Sequence, residues 1–162
     1  MAIKPAVAQE NKKLAPEFKG ITFTPASYAL EHSDKITYHL LCHSGALNFG
    51  LNKDFKVSPS FAISGGLAEV WFPNEKPVLT NRLTANLGAG TGLGSVYIFA
   101  DAGLGVMNGM MFHQFNLGGS LKICDINDKT ALSCFAVGYY EKFNKMPFAL
   151  GVIAGISLNF SK

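Results

Sequence analysis

Residues Leu83–Leu121 read LTANLGAGTGLGSVYIFADAGLGVMNGMMFHQFNLGGSL and carry one formal charge, Asp101. A stretch this apolar and this long invites reading as a membrane-crossing helix. The glycines argue otherwise. Gly88, Gly90, Gly92 and Gly94 recur at every second residue, and so do Gly103 and Gly105. Two is the period of a strand, and each glycine weakens a helix by roughly 1 kcal/mol. Asn108-Gly109 then marks a two-residue hairpin turn. It sets Met107 opposite Met110, Val106 opposite Met111, Ala102 opposite Phe115, Ala100 opposite Leu117 and Val96 opposite Leu121. On the other face Phe99 meets Gly118 and Asp101 meets Asn116. Gly94-Ser95 fits a second two-residue turn with glycine first, pairing Leu93 with Val96 and Leu87 with Ala102. Facing residues must point the same way, so each turn fixes a face. One face is apolar; the other is small and polar.

Outward from this segment the same reading continues. Phe148, Leu150, Val152, Ala154, Ile156, Leu158 and Phe160 form an apolar face, alternating with Ala149, Gly151, Ile153, Gly155, Ser157 and Asn159. A turn at Asn144-Lys145 would pair Phe143 with Met146 and Tyr139 with Leu150. That puts Phe135, Val137 and Tyr139 on the apolar face, with Cys134, Ala136 and Gly138 on the small one. A three-residue turn at Asn52-Lys53-Asp54 would pair Leu51 with Phe55 and Phe49 with Val57. A loop centred on Lys129 would set Ile123 opposite Phe135 and Cys124 opposite Cys134.

The expected fold is all-β: an antiparallel up-and-down barrel of about eight strands, near 18–30, 36–51, 55–70, 81–93, 96–107, 110–124, 132–143 and 146–160. The domain is 18–162. Residues 1–17 form an N-terminal extension, a short helix between Pro5 and Pro16 or a disordered tail. The expected strands often reach a dozen residues, against about 5–6 in soluble sheets and about 9–11 for a membrane crossing.

Composition narrows the class. Of the 162 residues, 48% are apolar and 15% charged, where soluble domains carry about a quarter charged. The net charge is +3 and Arg82 is the one arginine, without the clustered cations that nucleic acid requires. No nucleic-acid partner is expected. The small face carries Gly, Ala, Ser and Asn rather than the charged residues of a solvated surface. The preferred reading therefore turns the apolar face to lipid and the small face to a narrow lumen. Residues 1–20 lack the apolar core of a secretory signal. The expectation is a signal removed from, or absent from, this chain.

The strand–tight turn–strand pattern and the closing Val152-Ile153-Ala154-Gly155-Ile156-Ser157-Leu158-Asn159-Phe160 resemble small bacterial outer-membrane barrels of the OmpA/OmpX type. That resemblance covers about 18–160 and implies a bacterial outer-membrane location, membrane lipid as partner, and a structural or minor-pore role without catalysis. Two alternatives stand beside it. One is a soluble or periplasmic barrel holding a small apolar ligand in its lumen. The other is a lipid-modifying barrel enzyme. His43-Ser44 resembles the His/Ser of barrel lipid A deacylases, although the His-x-Ser-Asn pattern is absent, and a palmitoyltransferase barrel has similar architecture without matching catalytic residues here.

No catalytic, cofactor or metal residue is assigned, and no cofactor is expected. His39 and His43 would lie about 13 Å apart along a strand, too far for one metal ion. Gly88-Ala89-Gly90-Thr91-Gly92 lacks the Lys-Ser/Thr of a phosphate loop. The lumen-lining candidates are Tyr97, Phe99, Asp101, Asn116 and Lys122, with Asp101 hydrogen-bonded to Asn116 or serving a ligand or proton. Cys124 and Cys134 are a candidate disulfide.

Overall fold

The computed structural model describes residues 16–34, 36–50, 57–144 and 146–161. Eight strands follow one another: β1 (Glu17–Ser33), β2 (Ile36–Gly50), β3 (Ser58–Trp71), β4 (Val78–Leu93), β5 (Val96–Met107), β6 (Met110–Asn127), β7 (Thr130–Phe143) and β8 (Phe148–Ser161). Each pairs antiparallel with the next, and β8 closes on β1. Closure leaves no unpaired sheet edge. The expectations for the extension fall largely on 1–15, outside the described residues.

Up-and-down order puts the start of β1, the end of β8 and the β2–β3, β4–β5 and β6–β7 connections at one end, here the terminal end. The other four connections lie at the distal end. Two turns match their sequence signals. Asn108 and Gly109 take φ of 48° and 79°, the both-positive pattern of a type I′ turn, and Met107 pairs with Met110. Gly94 takes φ 64°, and Leu93 pairs with Val96.

Three registers differ from expectation. Phe49 pairs with Phe61 rather than Val57. The register is shifted by an even number, so faces are unchanged; the expected Leu51–Phe55 pair lies outside the described residues. In β6, register shifts between Lys122 and Cys124 and between Asp125 and Asn127 bring Leu121 opposite Cys134 and Cys124 opposite Leu132. The expected Cys124–Cys134 juxtaposition is therefore corrected, and Cys42, Cys124 and Cys134 are all free. At the distal end Lys142 pairs with Phe148 and Tyr139 with Gly151, where Leu150 was expected. An odd slip exchanges the faces of a strand. Phe135, Val137 and Tyr139 consequently point inward, and Cys134, Ala136 and Gly138 outward.

The radial order of polarity is inverted relative to a water-soluble domain. The large apolar side chains are outside: Leu83 is 58% exposed, Leu104 61% and Val152 58%. The fully buried set holds Thr24, Ser27, Glu31, Thr80, Thr84, Gln114, Ser133, Glu141 and Ser157, against the apolar Ala29, Leu40, Ala68, Val70, Phe112, Phe143 and Ala149. Alternate glycines on the inner face make room for rings reaching across from neighbouring strands. A Cβ on Gly151 would strike the Tyr139 ring, and one on Gly105 the Phe112 ring.

Candidate functional site: the barrel interior

Inward-pointing side chains divide the interior into two halves. The distal half is crowded by long side chains. Arg82 on β4 forms an ion pair with Glu141 on β7, which is 1% exposed, and donates to Gln114 Oε1 on β6. The guanidinium also lies 4.6 Å from the Phe112 ring centroid, within cation–π range. Gln114 Nε2 donates to Asn86 Oδ1 at 2.7 Å. Across the lumen, Glu31 on β1 accepts hydrogen bonds from Tyr38 and from Tyr139, the latter at 2.9 Å. Phe112 and Phe143 pack with tilted rings at 4.9 Å, and Ala29, Leu40, Ala68 and Val70 form a buried cluster against Tyr38, Phe72 and Tyr139. A charged group withdrawn from water needs partners: Glu31 has two tyrosine donors, on β2 and β7, and Glu141 has the Arg82 guanidinium on β4. The network closes the distal half.

The terminal half is open. A cavity of about 540 Å³ runs in from that end, and a second of about 260 Å³ continues toward Arg82. Ser44, Phe99, Asp101, Val137 and Ile153 line both, so they form the neck between them. The larger cavity has two unlike walls. One, from β8, β1, β2 and β3, bears hydroxyls and amides. It is internally bonded: Thr22 Oγ1 donates to Asn159 Oδ1 at 3.0 Å, Asn48 Nδ2 to Thr22 Oγ1 at 2.9 Å, and Asn159 Nδ2 to Ser133 Oγ at 3.0 Å. The opposite wall bears Tyr97 and Phe99 on β5, stacked at 6.1 Å, with Phe135 and Val137 on β7.

Of the residues expected to line a lumen, Tyr97, Phe99 and Asp101 face the larger cavity and Asn116 the smaller one. Asn116 Nδ2 donates to Asp101 Oδ1 at 2.6 Å. Lys122 is set apart from them. It is exposed at the rim, where its Nζ holds Asp125 at 3.0 Å. His43 and Ser44 are adjacent on β2 and point to opposite sides: His43 reaches the Pro25 carbonyl outside, while Ser44 lines the cavities. They form no dyad. Among the described residues no cluster of His, Cys, Asp and Glu is suited to hold a metal ion.

Glu31, Arg82 and Glu141 were missed in the sequence. Each stands at an inward position of its strand, but they come from β1, β4 and β7, which are not neighbours. No hairpin turn relates them; only closure of the barrel does. The one-residue slip at the β7–β8 turn also placed Glu141 on the outer face.

No protein-family model matches the chain, and no curated protein matches it.

Proposed function

We propose that this chain is a membrane-spanning barrel of the bacterial outer-membrane type, similar in plan to the OmpA/OmpX barrels, with a structural or minor-pore role. The supporting observation is the inverted polarity: Leu83, Leu87, Leu104 and Leu117 stand outside, while Glu31, Arg82, Gln114 and Glu141 stand inside. In water each large apolar side chain left exposed forgoes roughly 1.5–3 kcal/mol of burial. A belt drawn from seven of the eight strands, with β7 adding only small or half-buried side chains to it, far exceeds the few hundred Å² that monomeric soluble proteins usually expose as one patch. In lipid the same belt is solvated.

Three features agree. The shortest strand, β5, has 12 residues, enough for a crossing that needs about 9–11. Closure satisfies every strand edge, as hydrocarbon demands. Outward rings collect toward both ends, as in the aromatic girdles of membrane barrels. Phe18, Phe49 and Phe61 form a ladder with centroids 5.6 and 6.0 Å apart near the terminal end. Tyr140 stacks on Phe148 at 5.8 Å near the distal end, with Trp71 on the same outer rim. The long side chains that cross the distal half favour a structural barrel or a narrow, gated pore over a wide channel. A soluble barrel with an apolar lumen would need the opposite arrangement of faces.

The test is purification with and without detergent, combined with gel migration in SDS before and after boiling. Detergent dependence with heat-shifted migration is the expected result. A monodisperse monomer in plain buffer would overturn the proposal.

A further inference from the structure

We propose that the terminal cavity is a binding site for a small organic cation with an apolar or aromatic body, and that Asp101 is its anchor. The inference rests on the interior alone and is independent of what covers the outer face.

The cavity of about 540 Å³ falls within the roughly 300–1,000 Å³ typical of small-molecule sites. Part of its polar wall is engaged with itself: Thr22, Asn48 and Asn159 are joined by hydrogen bonds, and Asn159 also reaches Ser133. That leaves those groups little capacity for a hydroxyl-rich guest. Asp101 is different. Asn116 occupies Oδ1, and Oδ2 has no hydrogen-bond partner among the described residues. Arg82, which lines the adjoining cavity, is engaged by Glu141 and Gln114. Lys19 at the mouth is held by Glu17 at 2.8 Å, and Lys122 by Asp125. Among the described residues, a carboxylate in a partly dehydrated neck thus lacks a counter-charge.

Its surroundings suit one shape of counter-ion. The stacked faces of Tyr97 and Phe99 are on the same strand as Asp101 and share its cavity. Aromatic faces attract cations, more strongly where water is reduced. A quaternary ammonium carrying a ring would set its charge at Asp101 and its ring against Phe99 and Phe135. An anion would meet an uncompensated carboxylate, and a neutral apolar guest would leave it unpaired.

The probe is benzyltrimethylammonium, with benzyl alcohol as the neutral comparison. Each is titrated into the folded protein in polyoxyethylene micelles, which carry no ammonium headgroup; plain buffer serves if the protein needs no detergent. The wild-type chain should bind the cation saturably and at least about tenfold more tightly than the alcohol, the size of one modest charge interaction. Asp101→Asn should weaken the cation by about tenfold and leave the alcohol unchanged. Phe99→Leu should weaken the cation by a few-fold while strand content by circular dichroism holds. Equal affinity of the wild type for both probes, tighter binding of a neutral polyol, no saturable cation binding, or full cation affinity in a folded Asp101→Asn protein would each overturn the proposal. Should Asp101→Asn fail to fold, the wild-type contrast between the two probes decides.

Discussion

The two halves of the barrel interior share strands and pairing, yet one is crowded around a cavity of about 260 Å³ and the other opens into one of about 540 Å³. The distal half receives long side chains from non-adjacent strands: Arg82, Glu141, Glu31, Tyr38, Tyr139, Phe112 and Phe143. The terminal half receives mainly Ser, Thr, Asn and Ala from β1, β2, β3 and β8, with rings on β5 and β7. Backbone architecture therefore sets only the size of the container. Inward side-chain volume decides whether it is a plug or a pocket. Charge follows the same division. Glu31 and Glu141 are each bonded within the plug, whereas Asp101 in the neck has one oxygen without a partner among the described residues.

That contrast is best broken at Arg82. Arg82→Met strands Glu141 as a buried carboxylate without its ion-pair partner. Urea unfolding of the refolded barrel should show a loss of about 3–5 kcal/mol. Adding Glu141→Gln should recover part of it; no recovery would mean that the pair does not couple. Next in size is Gly151→Leu, which puts a side chain where the Tyr139 ring lies. A loss of about 1–3 kcal/mol is expected from overpacking, read by the same unfolding midpoint. Ala62→Leu, in the hollow half, adds similar bulk into open space. Its stability change should stay within about 1 kcal/mol, because nothing there resists the added atoms. Losses equal to those at Gly151 would show that the cavity collapses in solution. The smallest expected change is Asp101→Asn, within about 0.5 kcal/mol because Asn116 can still pair with an amide oxygen. Its effect should appear in ligand affinity instead.

Much of the outer shape was legible. Asn108-Gly109 and Gly94-Ser95 specify their turns through the positive φ they tolerate, and the registers of β4, β5 and β6 follow from them. The Asp101–Asn116 contact came with that register. β7 was misread for a physical reason. The two irregularities in β6 each admit an extra residue, and the turn that follows holds two residues, Asp128 and Lys129, rather than three or five; together they slip the register by three, and nothing local in Lys122–Asn127 announces the irregularities. The connection after Phe143 is longer than two residues. These two odd errors cancel, so β8 was read correctly although β7 was turned inside out. The plug was illegible for another reason. Arg82 and Glu141 are brought together by curvature across the lumen, and pairwise strand reasoning has no term for the far wall.

Closure of β8 onto β1 makes the seam between Gly20 and Ser161 one hydrogen-bonded border among eight equivalent ones. The chain is then a ring that has been cut once, and the cut can be moved. Joining the two ends with a short flexible linker and reopening at Asn108-Gly109 would yield a circular permutant with the same borders, its new ends on the opposite rim. In such a molecule the order in which strands leave the ribosome changes while the finished wall does not, so the numbering of the strands is a property of synthesis and not of the folded object.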